Sequence, residues 1–513
     1  MSSLDILPES PTGKTQGDIT EDVEDTTAGN ARVEVTEEEN KRIRRKTDKT
    51  ILTILVWAYF LQILDKTVLG SGSVFGLQKD AGLVGNQYSF VGSIAPIAQL
   101  AWQPFSSVLI IKVPHRILMP SLVLGWGIAQ TSMAACHNYS GLLAARFFLG
   151  LFEAGCLPLF GVITNQWYRR SEQPIRVAAW YGMNGMATII ASALSYGLGH
   201  IPSHTLYAWQ IIFLFVGLVT IVSVPFIYWK LDNGVTSARF LTPHERVLAV
   251  ERLRANQTGI GSQRFEWPHV WEVLIEPKTY LWIAMSLLLN VGASVTNTFG
   301  PLILSGLGFD KYVTSLLNMP FGAVQLIIIM LSSYAAQKVK VKAPMLILLT
   351  LPVITGLAIL YALPRANTGG LLGGYYLLAF LFGGQPLIVS WVVGNTAGTT
   401  KKSLVVSIYN GASSAGNIIG PLLFNSKDAP TYFPGLKATL AIFVALAVVV
   451  ALQWAGLWAL NKSQEKRRVR NGKTRFIHDA SMEDKYMGIQ EQGLGEHAFD
   501  MTDRQNDEFV YIY

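Results

Sequence analysis

Arg146 and Glu153 lie in the segment RFFLGLFEAG (146–155), inside an apolar stretch long enough to cross a bilayer. A charge at mid-bilayer costs roughly 2.5–3.5 kcal/mol on insertion scales, so such residues face a polar cavity or a partner. Seven residues apart on a helix, the two side chains return to nearly the same face, about 10.5 Å further along the axis. That is too far for a two-residue salt bridge. It leaves room for water, an anionic ligand or a third charged residue. Asp65 and Lys66, in LQILDKTVLG, occupy the last third of another apolar stretch. Neighbours on a helix point about 100° apart, so only one of them faces straight into a bundle. Arg146 is close enough to the end of its span to snorkel, whereas Glu153 near the middle is not. These residues predict a polar pathway through a membrane, and the chain reads as a transporter.

The composition provides the helices that such a pathway needs. Half of the 513 residues are hydrophobic and 15% are charged, against about 25% charged in an ordinary soluble protein. About twelve apolar runs approach the ~20 residues that a crossing requires. They lie at 51–71, 87–111, 117–135, 140–163, 175–199, 208–230, 279–303, 312–336, 343–362, 370–395, 403–424 and 437–460. The second is the weakest, with Pro96, Gln99, Gln103 and Pro104, together with the glycine-rich tenth. The expected organisation is a tail (1–49), six spans (50–230), a central loop (231–278), six more spans (279–460) and a second tail (461–513). Residues 1–40, rich in Asp, Glu, Thr and Ser, are expected to be disordered, and the tail from 461 to be mobile. No basic start or apolar core marks a signal peptide at Met1–Ser10. In the central loop, Thr242 and Glu245 form a capping-box pattern with Pro243 at the first helical position, which predicts a short amphipathic helix on the cytosolic face.

Lys and Arg placement sets the orientation. Lys41, Arg42, Arg44, Arg45, Lys46 and Lys49 precede the first span, and Arg169, Arg170 and Arg176 follow the fourth. Lys338, Lys340 and Lys342 follow the eighth, Lys401 and Lys402 the tenth, and Lys466–Arg470 the twelfth. The alternate loops HNYS (137–140) and HIPSHTLYAW (200–209) carry almost none. Both termini are therefore expected in the cytosol. The net charge of +7 follows from this asymmetry and calls for no nucleic acid.

Smaller motifs weigh against other functions. Cys136 and Cys156 are too few for a disulfide framework or a metal site. Gly13-Lys14-Thr15 resembles the end of a phosphate-binding loop, but Pro8 stands where the first glycine is required. Transport must then draw on a gradient, with no cofactor. Sequons begin at Asn138, Asn256 and Asn461; two are expected in the cytosol and one pressed against the membrane, so glycosylation is not expected. Gly416 and Gly420 form a GxxxG suited to close helix packing. No His/Glu metal spacing or nucleophile elbow suggests a membrane-embedded enzyme.

Several segments together carry a family resemblance: RFFLGLFEAGCLP (146–158), WYRRSEQPIR (167–176), ARFLTPHERVLAVERLRANQTG (238–259), EPKTYLW (276–282), FGPLIL (299–304), NMPFGAVQ (318–325), SWVVGNTAGTTKKS (390–403), GNIIGPLLF (416–424) and APTYFPG (429–435). In this order they resemble fungal members of the major facilitator superfamily, in the anion:cation symporter branch and its allantoate permease group. The resemblance covers about 50 to 460. It implies an all-α membrane protein of twelve transmembrane helices in two six-helix bundles around a central cavity, opening alternately to either side. It implies proton-coupled movement of a small organic anion, with Asp65 and Glu153 at the proton-coupling positions and Lys66 and Arg146 at the anion positions. Lys66 stands where many bacterial relatives have Arg, so the planar fork that clamps a carboxylate is missing. The basic motif after the second span is reduced to IKVPHRILMP (111–120).

In the mechanism this implies, protons neutralise Glu153 and Asp65, and the anion takes Lys66 and Arg146 through charge-assisted hydrogen bonds. Asn184, Asn297, Asn395 and Asn410 orient it, and Trp391 or Tyr181 fits its body. A monomer in the plasma membrane is expected. The alternative use of the same fold is export of a secondary metabolite, with the diverged IAPIAQLAWQPFSS (94–107) lining a different pocket.

Overall fold

A computed structural model describes residues 35–169, 172–254, 266–339, 341–429, 431–475, 501–507 and 509–513. The Gly13-Lys14-Thr15 motif, Arg170, the Asn256 sequon and Lys340 lie outside the described residues, as does the acidic tail up to residue 34. Twelve long helices follow one another: α1 (Glu37–Val74), α2 (Gln87–Lys112), α3 (His115–Met133), α4 (Tyr139–Trp167), α5 (Ile175–Gly199), α6 (Ala208–Lys230), α7 (Pro277–Ser305), α8 (Lys311–Ala336), α9 (Ala343–Ala362), α10 (Thr368–Gly394), α11 (Thr399–Leu422) and α12 (Phe433–Arg470). Among the described residues, nine of these are long and apolar enough to cross a membrane. The other three, α2, α3 and α11, have 26, 19 and 24 residues, close to or beyond the ~20 that a crossing takes. α3 and α11 are less apolar than the rest, and Gln99 and Gln103 are in α2, which was the weakest expected span.

Packing repeats with a shift of six helices. In the N-terminal half α1 packs on α5 and α6, α2 on α4, and α3 on α4 and α6; α7 likewise packs on α11 and α12, α8 on α10, and α9 on α10 and α12. Across the halves α2 meets α11 and α5 meets α8, again related by six. This is the internal repeat of a two-bundle transporter. Glycine makes two of the contacts possible. An ideal Cβ on Gly185 would sit 2.4 Å from the Gly322 carbonyl oxygen, and one on Gly322 would sit 2.7 Å from that of Gly185, so α5 and α8 cross backbone to backbone between the halves. The Gly416/Gly420 pair does the same for α11 on α7, where Cβ atoms would meet the carbonyl oxygens of Leu287 at 2.5 Å and Val291 at 2.7 Å. Small residues of this kind replace the hydrophobic driving force that lipid removes.

Hydrogen bonds join the halves from mid-span to the face away from the termini. Tyr88 donates to the Thr298 carbonyl (3.0 Å), Ser89 to Phe424 (2.9 Å), Ser93 to Ile418 (3.0 Å) and Tyr312 to Gly199 (3.2 Å). Deeper in, Thr188 donates to Gln325 Oε1 (3.2 Å) and Asn318 Nδ2 to Ser192 Oγ (3.3 Å).

The described parts of both tails hold regular contacts that composition did not suggest. The tail expected to be disordered through residue 40 becomes helical at Glu37. Thr36 and Glu39 close a reciprocal capping box, three acidic residues occupy the first turn and three basic ones the last, all of which favour a helix. The helix is then fastened from the side: Lys46 Nζ reaches Glu245 at 2.7 Å. The capping box at Thr242 also forms, and Pro243–Arg254 is helical. Its Arg252 is fully buried, bonded to Asn40 at 2.7 Å and paired with Glu172, so this helix is held by polar contacts. The outward apolar face belongs instead to the next helix, Trp267–Ile275, where Trp267, Trp271, Leu274 and Ile275 are exposed, a pattern suited to a membrane interface. At the other end, α12 continues as helix to Arg470 and residues 501–513 return to pack under the C-terminal half.

Candidate functional site

The charges singled out in the sequence converge in the N-terminal half. α1 brings Lys66 to α4, where Lys66 Nζ stands 3.5 Å from Glu153 Oε2. Gln99 Nε2, from α2, donates to the same oxygen at 2.8 Å. Glu153 Oε1 is buried and makes no hydrogen bond among the described residues. The Lys66 side chain keeps 30% of its surface exposed while that of Glu153 has none. Lysine is thus the member of the pair that a solute can reach. Glu153 ends the first helical piece of α4; a turn at Ala154–Gly155 separates it from the piece starting at Cys156. The third charge that the spacing of Arg146 and Glu153 left room for is therefore Lys66.

Asp65 and Arg146 sit behind this pair. Asp65 is fully buried, and neither carboxylate oxygen has a hydrogen-bond partner among the described residues. Glu153, Arg146, the Trp126 indole and the Thr220 hydroxyl are polar groups that act on it. The two neighbours diverge as the 100° rule requires: Lys66 takes the partly exposed side and Asp65 the interior of its own half. Arg146 is also buried; its Nε donates to the Val91 carbonyl at 3.4 Å, and its Nη1 lacks a partner among the described residues. It is tucked against backbone with no snorkelling route.

The neutral residues expected to orient a solute fall in four places. Asn184 lines the same half: its Nδ2 donates to the Tyr59 hydroxyl (3.0 Å) and the Tyr181 carbonyl (2.8 Å), beside the stacked rings of Trp180 and Tyr181. Asn410 is half-buried on α11, next to Gly411, whose ideal Cβ meets Leu100 of α2 at 3.7 Å. Asn297 is half-buried on α7 where that helix crosses α1; its carbonyl oxygen would meet a Cβ on Gly70 at 2.8 Å. Trp391 and Asn395 do not join the cluster. They occupy the last turn and end of α10, at the face that carries the termini, and the C-terminal segment uses their polar atoms. Trp391 Nε1 donates to the Ile512 carbonyl (2.7 Å), Asn395 Nδ2 to the same oxygen (2.9 Å), and Ile512 N to Asn395 Oδ1 (2.7 Å). Their placement as solute contacts is corrected on that ground.

Comparison with known proteins decides the family. Residues 55–421 match the Major Facilitator Superfamily. The chain belongs to that superfamily. Among its fungal relatives are the thiamine pathway transporter THI73 of Saccharomyces cerevisiae, 31% identical with 92% of this chain and 86% of that protein aligned, and the allantoate permease of the same yeast, 28% identical with 93% and 88% aligned. In fold it is similar to a bacterial homologue of the human lysosomal transporter Spinster, with a TM-score of 0.56 at 14% identity over 79% of this chain and 96% of that one. The protein is a major facilitator transporter and not an enzyme, and a multi-pass membrane protein.

A second polar cluster of this facilitator was not anticipated from the sequence. In the C-terminal half, Gln385 Nε2 on α10 donates to Asn290 Oδ1 on α7 at 2.6 Å, and Asn417 Nδ2 on α11 approaches the same oxygen at 3.5 Å. Asn290 Nδ2 donates in turn to the Ser286 carbonyl at 2.8 Å. A 3₁₀ stretch, Leu378–Gly383, interrupts α10 just before Gln385, as the turn interrupts α4 just after Glu153. The available signal was an amide in the middle of each apolar run, as in SLLLNVGAS (286–294).

Proposed function

We propose that this transporter imports a small organic anion together with protons, using Lys66 as the anion's anchor and Glu153 as the group that competes for it. The observation that carries this reading is the Lys66–Glu153 contact, with Gln99 on the same carboxylate oxygen. An anion needs the ammonium that Glu153 occupies. A proton on Glu153 removes the competing charge and frees Lys66 for a charge-assisted hydrogen bond to a carboxylate. Loss of that proton restores the pair and expels the anion. Gln99 keeps the carboxyl oriented in both forms. Asp65 is the second proton carrier, and Arg146 holds positive potential behind the site. Asn184 and Asn410, with Asn297 above them, orient the solute. The likeness to a protein named allantoate permease favours a carboxylate cargo.

The bundles 50–230 and 279–460 rock about this centre. The basic runs beside the termini set that face in the cytosol by the positive-inside rule, so the hydrogen bonds at the opposite face close the extracellular side. A monomer in the plasma membrane is the working unit.

The test is uptake of labelled allantoate, nicotinate and pantothenate by yeast lacking its own related permeases, at acidic and neutral external pH. Acid-stimulated uptake that a protonophore abolishes is expected. No uptake of any of them, with the protein confirmed at the cell surface, overturns the reading; efflux from preloaded cells in its place makes the protein an exporter.

A further inference from the structure

The amide cluster of Asn290, Gln385 and Asn417 stands where the C-terminal half would repeat the charged pair. α7 and α10 are the six-shifted counterparts of α1 and α4, so Asn290–Gln385 corresponds to Lys66–Glu153. The two clusters also share a layer. α1 and α7 run in the same direction and cross where Gly70 meets Asn297. Lys66 is four residues below that crossing, about 6 Å, and Asn290 seven below, about 10.5 Å. Gln99 is six residues below Ser93, which meets Ile418 of α11, and Asn417 is beside Ile418. The two poles are thus within roughly two helical turns of one another in depth.

What the amide cluster offers is specific. Asn290 is consumed by its neighbours, but Gln385 Oε1 and Asn417 Oδ1 accept nothing among the described residues, and both side chains are half-buried. The cluster therefore presents acceptors and a spare amide hydrogen on Gln385, with no formal charge. The cations further down the same helices, Lys278 and Lys401, are taken by Asp503 and, for Lys401, by Glu272 at 2.6 Å and Glu276 at 2.9 Å.

We propose that Asn290, Gln385 and Asn417 form the second pole of the solute site, which takes an uncharged hydrogen-bonding group, such as a carboxamide, ureide or carbinol, at the far end of an anion whose carboxylate sits on Lys66. The proposal rests on the reading of Lys66 as the anion's anchor. A second carboxylate at this pole would face carbonyl-type acceptors without a cation to offset its desolvation. A plain alkyl end would displace water from Gln385 Oε1 and Asn417 Oδ1 and leave them unpaired. Both are rejected by the same atoms that accept an amide.

The experiment is binding of two isosteric anions, succinamate and 4-methylpentanoate, to the purified full chain. The same measurements are made on Gln385→Met, Asn417→Leu and Lys66→Gln, each checked for an unchanged thermal midpoint. Succinamate is expected to bind the native protein ~10-fold tighter, the equivalent of one or two net hydrogen bonds. Gln385→Met and Asn417→Leu should each shrink that ratio towards one, by weakening succinamate and by relieving the penalty on 4-methylpentanoate. Lys66→Gln should weaken both anions together. An unchanged ratio in both amide variants, with Lys66→Gln still weakening both anions, overturns the amide pole and leaves the anion reading standing. Indifference of both anions to Lys66→Gln, or no binding of either to folded native protein, overturns the anion reading and this proposal with it.

Discussion

The two halves of the molecule use equivalent helices to build one centre, and they fill it differently. α1, α2 and α4 bring together a lysine, a glutamate and a glutamine, with Asp65 and Arg146 buried behind them. α7, α10 and α11 bring together two asparagines and a glutamine. Only the first set can change its charge. In the proposed mechanism a proton arriving at the centre alters one wall and leaves the other constant, which separates what drives transport from what recognises the far end of the cargo. It also limits the cost of an uncharged wall, since neutral amides inside a membrane are far cheaper than ions.

The largest effect on this division should come from Glu153→Gln. Glutamine keeps the shape and the contact with Gln99 but can neither gain nor lose a charge, so Lys66 has no competitor to restore. Accumulation against a gradient is expected to fall by at least ~10-fold, the scale of one charged hydrogen bond, while exchange of anion across the membrane persists. Equal loss of both, at normal surface expression, breaks the comparison. Moving the charge across sharpens it. Gln385→Glu gives the neutral wall a carboxylate, which should depress uptake at neutral external pH several-fold more than at acidic pH, read from uptake rates at the two values.

These differences were unequally legible. Lys66, Asp65, Arg146 and Glu153 announce themselves because a charge in an apolar run has few affordable explanations. That only one of Asp65 and Lys66 faces straight into the bundle follows from helical rotation, but which of them is the exposed one needed the neighbours, Trp126 and Thr220 on one side and Glu153 on the other. An amide in an apolar run is a weaker signal than a charge. Asn290 is 95 positions from Gln385 and 127 from Asn417, on helices whose adjacency only tertiary packing decides. Trp391 and Asn395 were misread because the chain that covers them, Ile512, is more than a hundred positions away. Helices, halves and close glycine contacts were readable because bilayer thickness and backbone sterics act on local sequence. The helix at Glu37 was locally encoded as well, in Thr36 and Glu39, but the low apolar content of the preceding tail masked it.

The halves also differ in how they are clamped at the face that carries the termini. In the N-terminal half the buried Arg252 ties the central-loop helix to Glu172 and to Asn40, with the partly exposed Arg44 3.7 Å from the same carboxylate. In the C-terminal half a buried lysine, Lys401, meets Glu272, Glu276 and Asp503, and Lys278 shares Asp503. Arg252→Met removes one partner of a buried pair and is expected to cost about 3–5 kcal/mol, read as a lowered thermal midpoint. Lys401→Met leaves Lys278 to serve the carboxylates, so the C-terminal clamp should loosen locally and lower the midpoint less. The reverse order would mean that the C-terminal segment stabilises its whole half and is more than a cover for Trp391 and Asn395.

A smaller effect separates the C-terminal clamp by pH. Burial alone would raise the Asp503 carboxyl, but the ammoniums of Lys278 and Lys401 outweigh it and hold the group below the ordinary aspartate range. Its contribution to docking of residues 501–513 is therefore complete above the ~3.9 of a free aspartate and is lost only as pH falls through the lower docked value. Glu276 acts in the opposite sense, because burial pushes its carboxyl up against the pull of Lys278 and Lys401. Protonating it in mild acid relieves a desolvation cost, so docking should not weaken between neutrality and about pH 5. Amide hydrogen exchange across 501–513, corrected for intrinsic rates, is expected not to rise over that interval and to rise below the free-aspartate range. Asp503→Asn should raise exchange at every pH, because its amide offers Lys278 and Lys401 no charge. Progressive loosening between neutrality and about pH 5 would instead assign the docking energy to carboxylates of ordinary acidity, and would make this clamp, like the Lys66–Glu153 centre, responsive to the proton.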